Sequence, residues 1–213
     1  MFDITTLRPE DHDQVENLLD RAFGRDRKSK TSYRYRIGTE PVNDLSLAAR
    51  EGESVVGSIQ YWPVTLGEQD AEALLLGPLA IDPRRQGEGI GAALVFTSLD
   101  MAAWAGHTVV LLVGDLAYYR RFGFRTAALD GLTMPGEAPH RLLVTELTDH
   151  ALAGVCGEVK PWRSVRRSNR DAGPTGRKES LPPQLTASGW RSGAASAKAG
   201  RVRHTSAIRR TVG

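Results

Sequence analysis

Residues 74–91, "LLLGPLAIDPRRQGEGIG", run from an apolar stretch into glycines at 87, 89 and 91, and a second apolar stretch, "AALVFTSLDMAAW" (92–104), follows at once. The first stretch suits a strand covered on both faces. In the second, Ile90, Ala93, Leu94, Thr97, Met101 and Trp104 share one face of a 3.6-residue period, and Gly106 ends it. A buried strand that passes through a glycine-spaced turn into a helix confines the chain to α/β architectures. The turn is also a phosphate site in outline. Absent side chains let backbone N–H groups approach an anion, and a helix start adds unpaired donors and a positive dipole end.

The flanking sequence fills in a mixed sheet. "MFDITTLRP" reads as a first strand stopped by Pro9. "EDHDQVENLLDRAFG" is an amphipathic helix, with Val15, Leu18, Leu19 and Ala22 on one face and acids in its first turn. "RDRKSKTSYRYRIG" (25–38) is a polar, basic loop with a short helix, read as a solvated surface segment, with attraction of an acidic ligand the alternative. Strands follow at "LSLAAR", "ESVVGSIQYWPVTL" and "AEALLLGPLAID". Pro78 lies inside the third of these. Without an N–H for the ladder, it predicts a bulge, an edge or a local opening. After the helix come the strand "HTVVLLVGD", the short helix, turn and strand of "LAYYRRFGFRTA", and a last strand, "HRLLVTEL". Hairpins and crossovers both occur, so parallel and antiparallel pairs share the sheet.

The glycines admit two phosphate-binding readings. Gly87, Gly89 and Ala92 satisfy the loose dinucleotide pattern G-x-G-x-x-[GA], with Asp115 closing a later strand as a ribose-binding acid would. Against this, "DPRRQ" separates strand from glycines, a helix and several antiparallel-looking strands come first, and the further β-α units of a doubly wound sheet are missing. No Gly-Lys-[Ser/Thr] follows, which excludes a P-loop. The other reading matches [Gln/Arg]-x-x-Gly-x-[Gly/Ala] at Gln86, Gly89 and Gly91. Together with "VGDLAYYRRFGF" (113–124), this stretch resembles the GNAT N-acetyltransferase superfamily, and most of all its bacterial YhbS-like branch, over roughly residues 2–159.

The resemblance implies a GNAT fold: a mixed central β-sheet flanked by helices, with strands four and five splayed apart. It implies acetyl-CoA as co-substrate, its pyrophosphate cradled by Gln86, Gly87, Glu88, Gly89, Ile90 and Gly91. Its pantetheine arm would enter the splay and pair with strand four at Leu79, Ala80 and Ile81. Arg84 and Arg85 are the nearest counter-charges for the 3′-phosphate, with plain solvation the alternative. Tyr119 aligns with the family tyrosine that protonates the leaving sulfur. The glutamate that many members carry on strand four is absent from "ALLLGPLA", and the asparagine near the end of strand five is replaced by "GDLAYY". Asp115 is then the nearest acid for a base, its alternative role being the cap of the following helix. The family builds its acceptor pocket from the "FGRDRKSK" loop and the loop between strands six and seven.

Charge divides the chain. Residues 160–213 hold thirteen Lys and Arg against Asp171 and Glu179, a balance of +11, so the net +3 of the 213 residues leaves −8 for residues 1–159. Apolar periodicity ends at the same place, so we expect a folded GNAT domain over 1–159 and a disordered basic tail over 160–213. That tail is a non-specific polyanion ligand or a dispensable extension. Cys156 has no partner for a disulfide, no metal-ligand spacing is present, and no apolar run spans a bilayer. The start lacks a secretory pattern, and a soluble cytoplasmic protein is expected. The function classes are therefore an acetyl-CoA-dependent N-acyltransferase acting on a small-molecule, peptide or protein amine, a non-catalytic acyl-CoA sensor on the same fold, and a nucleic-acid-associated protein recruited by its tail.

Overall fold

The two longest strands, Ser54–Leu66 (β3) and Ala71–Ile81 (β4), pair as a hairpin at the centre of the sheet. The structure, a computed structural model, describes residues 1–162. Around that hairpin lie β1 (Asp3–Thr6), α1 (His12–Phe23), β2 (Leu47–Glu51), α2 (Ile90–Trp104), β5 (Val109–Val113) and α3 (Leu116–Tyr119). The short β6 (Arg125–Thr126) and β7 (Leu132–Thr133), then β8 (Leu142–Glu146) and β9 (Gly157–Pro161), complete the order. The sheet runs β1-β2-β3-β4-β5-β8-β6. All its neighbours are antiparallel except β4 and β5, which the α2 crossover makes parallel. This is the mixed, helix-flanked sheet that the sequence implies.

Helix α1 buries Val15, Leu18 and Leu19 against Ala48, Val55 and Ala80. Its start is fixed by Asp11, which accepts the Arg8 N–H at 2.7 Å and pairs with the Arg50 guanidinium, and it ends at Gly24 with φ +83°. Helix α2 covers the other face, packing Ile90, Leu94, Val95 and Leu99 against Ile59, Tyr61, Leu74 and Val110. Its buried face matches the predicted one only at Ile90, Ala93 and Leu94. Trp104 is 54% exposed, whereas Ser98 is fully buried. The helix is apolar on nearly every side, so periodicity cannot choose its inner face. Ser98 tolerates burial because its hydroxyl donates to the Leu94 carbonyl at 2.7 Å and meets Tyr61 Oη at 2.8 Å.

The chain's proline signal is realised in β4. Ile59 pairs with Leu79 but Tyr61 with Leu76, so Gly77 and Pro78 together oppose the single residue Gln60. This is a β-bulge, and Trp62 Nε1 donates to the Gly77 carbonyl at 2.9 Å across it. On its other side β4 pairs with β5 only at Leu74–Val110 and Leu75–Leu111. Past Leu75 the two strands diverge, as the resemblance implies, and β4 keeps β3 alone as its neighbour.

Two sequence boundaries need correcting. "HRLLVTEL" is not the last strand: β9 follows, antiparallel to β3 over residues 64–66 and parallel to β7. It includes Lys160 and Pro161, which composition assigned to the tail. In "GEVKP" only Val159 is buried, and one inward side chain makes no periodic signal. The rest of the tail expectation, from residue 163 on, lies outside the described residues.

Candidate functional site

Two cavities flank the freed half of β4 and share Phe23 and Leu79 in their linings. One encloses about 440 Å³. Leu79, Ala80 and Ile81 form its β4 wall, and Gln86, Gly87, Gly89, Ile90 and Gly91 form the side presented by the turn. Eight of the nine residues predicted to hold the co-substrate thus line one space. Glu88, the ninth, does not; its carboxylate turns to Arg85.

The three glycines are there for two different reasons. Gly87 and Gly89 have φ of +85° and +81°, a backbone that L side chains rarely adopt. A Cβ on either would meet no protein atom within 4 Å, so open space lies over both. At Gly91 the limit is steric: a Cβ would sit 2.9 Å from Tyr118 Oη. Gly89 caps α2 without any side-chain bond, and the first intrahelical bond is Ala93 N to Gly89 O at 3.0 Å. The N–H groups of residues 90, 91 and 92 therefore have no acceptor inside the helix, and they carry its positive end.

The charges around this turn are distributed differently from the sequence expectation. Asp82 accepts from the Arg84 N–H and guanidinium at 3.0–3.1 Å and pairs with Arg21 at 3.4 Å. The Arg84 bonds hold its carboxyl far below the usual carboxylate range. Arg85 makes two 2.8 Å bonds to Glu88 and also pairs with Glu51. Both predicted phosphate arginines thus have their charge compensated inside the protein. The cation that lines the cavity with no ion pair among the described residues is Arg121, stacked on the Tyr118 ring at 4.7 Å. No expectation from the sequence falls on it.

The second cavity encloses about 620 Å³ between residues 75–79 of β4 and residues 112–114 at the end of β5. Tyr119 lines it, half-buried, with Phe124 edge-on at 5.8 Å and Tyr118 at 4.9 Å. Its ring lies so close over Gly114 that a Cβ there would come within 2.6 Å. Burial pushes the Tyr119 hydroxyl well above the ordinary tyrosine range, so it keeps its proton at neutral pH. Asp115 lies outside both linings. It is exposed, and its carboxylate accepts the Ala117 N–H at 2.9 Å, which makes it the cap of α3.

Both loops that the resemblance singled out border this cavity, the first through Arg27 and Lys30 and the second, which runs from β6 to β8 and is interrupted by the short β7, through Gly136 and Glu137. Glu137 is the one carboxylate in the lining. The first loop is not the solvated basic segment expected from composition. Arg27 is 2% exposed and bonds Asp20 and Glu16 at 2.8 Å each and the Tyr33 hydroxyl at 2.9 Å. Those acids lie on α1, so the pairing appears only once the loop folds back on the helix. Tyr33 in turn stacks on Arg36, whose Nε is buried without a hydrogen-bond partner.

The fold itself recurs in known proteins. A family model described as an acetyltransferase (GNAT) domain matches residues 3–127. The Escherichia coli K12 protein named uncharacterized N-acetyltransferase YhbS is 34% identical over 155 residues, covering 71% of this chain and 91% of that protein. The crystal structure of Escherichia coli YhbS in complex with CoA superposes with a TM-score of 0.67 at 32% identity, over 76% of this chain and 89% of that one. A GNAT family acetyltransferase from Brucella melitensis, solved with acetyl-CoA, gives 0.57 at 26% identity, over 77% and 97%. Among the described residues no helix is long and apolar enough to cross a membrane. On this fold, this site and these relatives, the chain belongs to the GNAT acetyltransferase family.

Proposed function

We propose that the protein is an N-acetyltransferase that moves an acyl group from acetyl-CoA directly to an amine while both are bound. The observation that carries this reading is the meeting of the two cavities at Leu79, where β4 has parted from β5. A CoA pyrophosphate fits the smaller cavity. The space over Gly87 and Gly89 is open, the N–H groups of Ile90, Gly91 and Ala92 are uncommitted, and Arg121 adds uncompensated charge. Gln86 and the Glu88 backbone complete the turn, while the Glu88 side chain fixes Arg85. The free edge of β4 at Leu79, Ala80 and Ile81 then supplies main-chain groups to an extended amide-bearing arm.

When bound, the thioester supplies an activated acyl carbon and a leaving thiolate. The protein's part is positioning and proton management. A β4 N–H beside the splay polarises the carbonyl without any side chain. Tyr119 holds a proton at the junction and gives it to the departing sulfur. That demand is modest, since a thiol has a pKa of about 8.5. The amine must lose a proton too, from a pKa of about 10.4 for a primary alkyl amine. Glu137 is the carboxylate in reach of the cavity for that task, and Asp115 keeps its capping role.

The alternative is a CoA-binding protein without turnover, favoured by one observation: residues 73–81 of β4 carry no acid. Thiol release from acetyl-CoA across a panel of amines, amino acids, peptides and aminoglycosides decides between them. Release with some acceptor, reduced about 10- to 100-fold in kcat by Tyr119→Phe at unchanged CoA affinity, supports transfer. Tight CoA binding with no release from any acceptor supports the sensor.

A further inference from the structure

Arg36 differs from Arg27, Arg84 and Arg85 in having a charge that no carboxylate answers, and from the exposed Arg121 in being partly buried. Arg27, Arg84 and Arg85 each bond carboxylates. Arg36 forms no ion pair among the described residues, and its Nε is buried with no hydrogen-bond partner. Stacking holds it in place instead: its guanidinium lies 4.2 Å from the Tyr33 ring centre and 5.6 Å from that of Trp62. Both rings are themselves tethered, Tyr33 by Arg27 at 2.9 Å and Trp62 by the Gly77 carbonyl at 2.9 Å. An Nη of Arg36 reaches the bulge, 3.5 Å from where a Cβ on Gly77 would stand. Gly77 has φ +133° and lines the larger cavity together with Arg36.

A planar fork clamped by its faces has its donor edges left for a ligand. The rest of the lining agrees. With Arg27 neutralised by Glu16 and Asp20, it offers Lys30, Arg36 and Arg141 against the single acid Glu137. Burial also drags the Arg36 pKa below the usual arginine value, with no carboxylate among the groups acting on it. Such surroundings repel an ammonium-rich acceptor and favour the neutral form of the one amine that must react. A space of about 620 Å³ suits a small molecule.

We infer that the acceptor is a small amine that also carries a carboxylate, and that Arg36 is the residue that binds this carboxylate at the Gly77 bulge. The inference rests on the transferase reading for the word acceptor, but its recognition half can be read without turnover.

The test compares amino acids (α-, β- and γ-) with their own carboxamides, with phosphoethanolamine and with spermidine. Two readouts are used: thiol release from acetyl-CoA, referred to the neutral amine, and calorimetric binding to CoA-saturated protein. At least one amino acid should exceed its carboxamide about 10- to 100-fold in kcat/KM and in affinity. Arg36→Met should collapse that ratio to near one, and Arg36→Lys, which keeps the charge without the fork, should restore only part of it. Unchanged CoA affinity in both variants shows that they fold. Carboxamides or spermidine equal to the acids, or an Arg36-dependent preference for phosphoethanolamine, would overturn the carboxylate assignment. Carboxylate-selective binding without thiol release would uphold Arg36 and remove the transferase reading. Thiol release without carboxylate selectivity would do the reverse.

Discussion

The two cavities that meet at Leu79 are made of different material. The smaller one is backbone: a helix start, two glycines in left-handed conformations and a strand edge, nearly all within residues 79–92. The larger one is side chains, gathered from the loop after α1, the β4 bulge, the end of β5 and the loop before β8. Backbone donors stand where local sequence puts them, so a stretch of fourteen residues suffices to specify the first. The second exists only after the topology has brought four distant segments together, and it is free to change its ligand without disturbing the fold. In the proposed function the first cavity takes the co-substrate and the second selects the acceptor.

Substitutions can break that contrast in graded steps. Gly89→Val puts a β-branched side chain at φ +81° and into the open space over the turn, so CoA affinity should fall by about 100-fold or more in calorimetry. A weaker loss would mean the turn is not the anchor. Tyr119→Phe should act on kcat alone, within the range given above, because Tyr119 lines the larger cavity and not the smaller one. Arg121→Ala should weaken CoA by about fivefold, with the loss shrinking as salt rises, since the contact is exposed. Equal loss at all salt concentrations would argue against a charge contact. The smallest effect belongs to Asp115→Ala: about 1 kcal/mol of stability from the lost cap, seen in denaturant titration, with turnover kept. A hundredfold drop in kcat would return Asp115 to the chemistry.

The same contrast explains what the sequence made legible. The strand-turn-helix unit, the α1 face and the disruption at Pro78 are local patterns, and the structure realises each of them. What escaped depends on distant partners. Arg85 is answered by Glu51, thirty-four residues away, and Arg27 by acids on α1. Asp82 and Glu88, two and three residues from Arg84 and Arg85, are local signs that those charges are spent, whereas no pattern around Arg36 or Arg121 announces that theirs are not. Ser98 points inward, where its hydroxyl meets that of Tyr61 on strand β3. Strand β9 was invisible because a single buried valine marks it.

That last strand has a practical consequence. Lys160 and Pro161 sit opposite Thr65 and Val64, and the Lys160 ammonium meets Asp70 at 3.2 Å. Trimming the basic extension at residue 159 would shorten this pairing. Cutting before Gly157 would strip it altogether, baring the N–H and C=O row of residues 64–66 beside the apolar Val64 and Leu66. An open ladder of that kind invites other chains to dock, so aggregation of such a fragment would report a lost neighbour rather than a role for the extension. A cut after Trp162 leaves the edge covered.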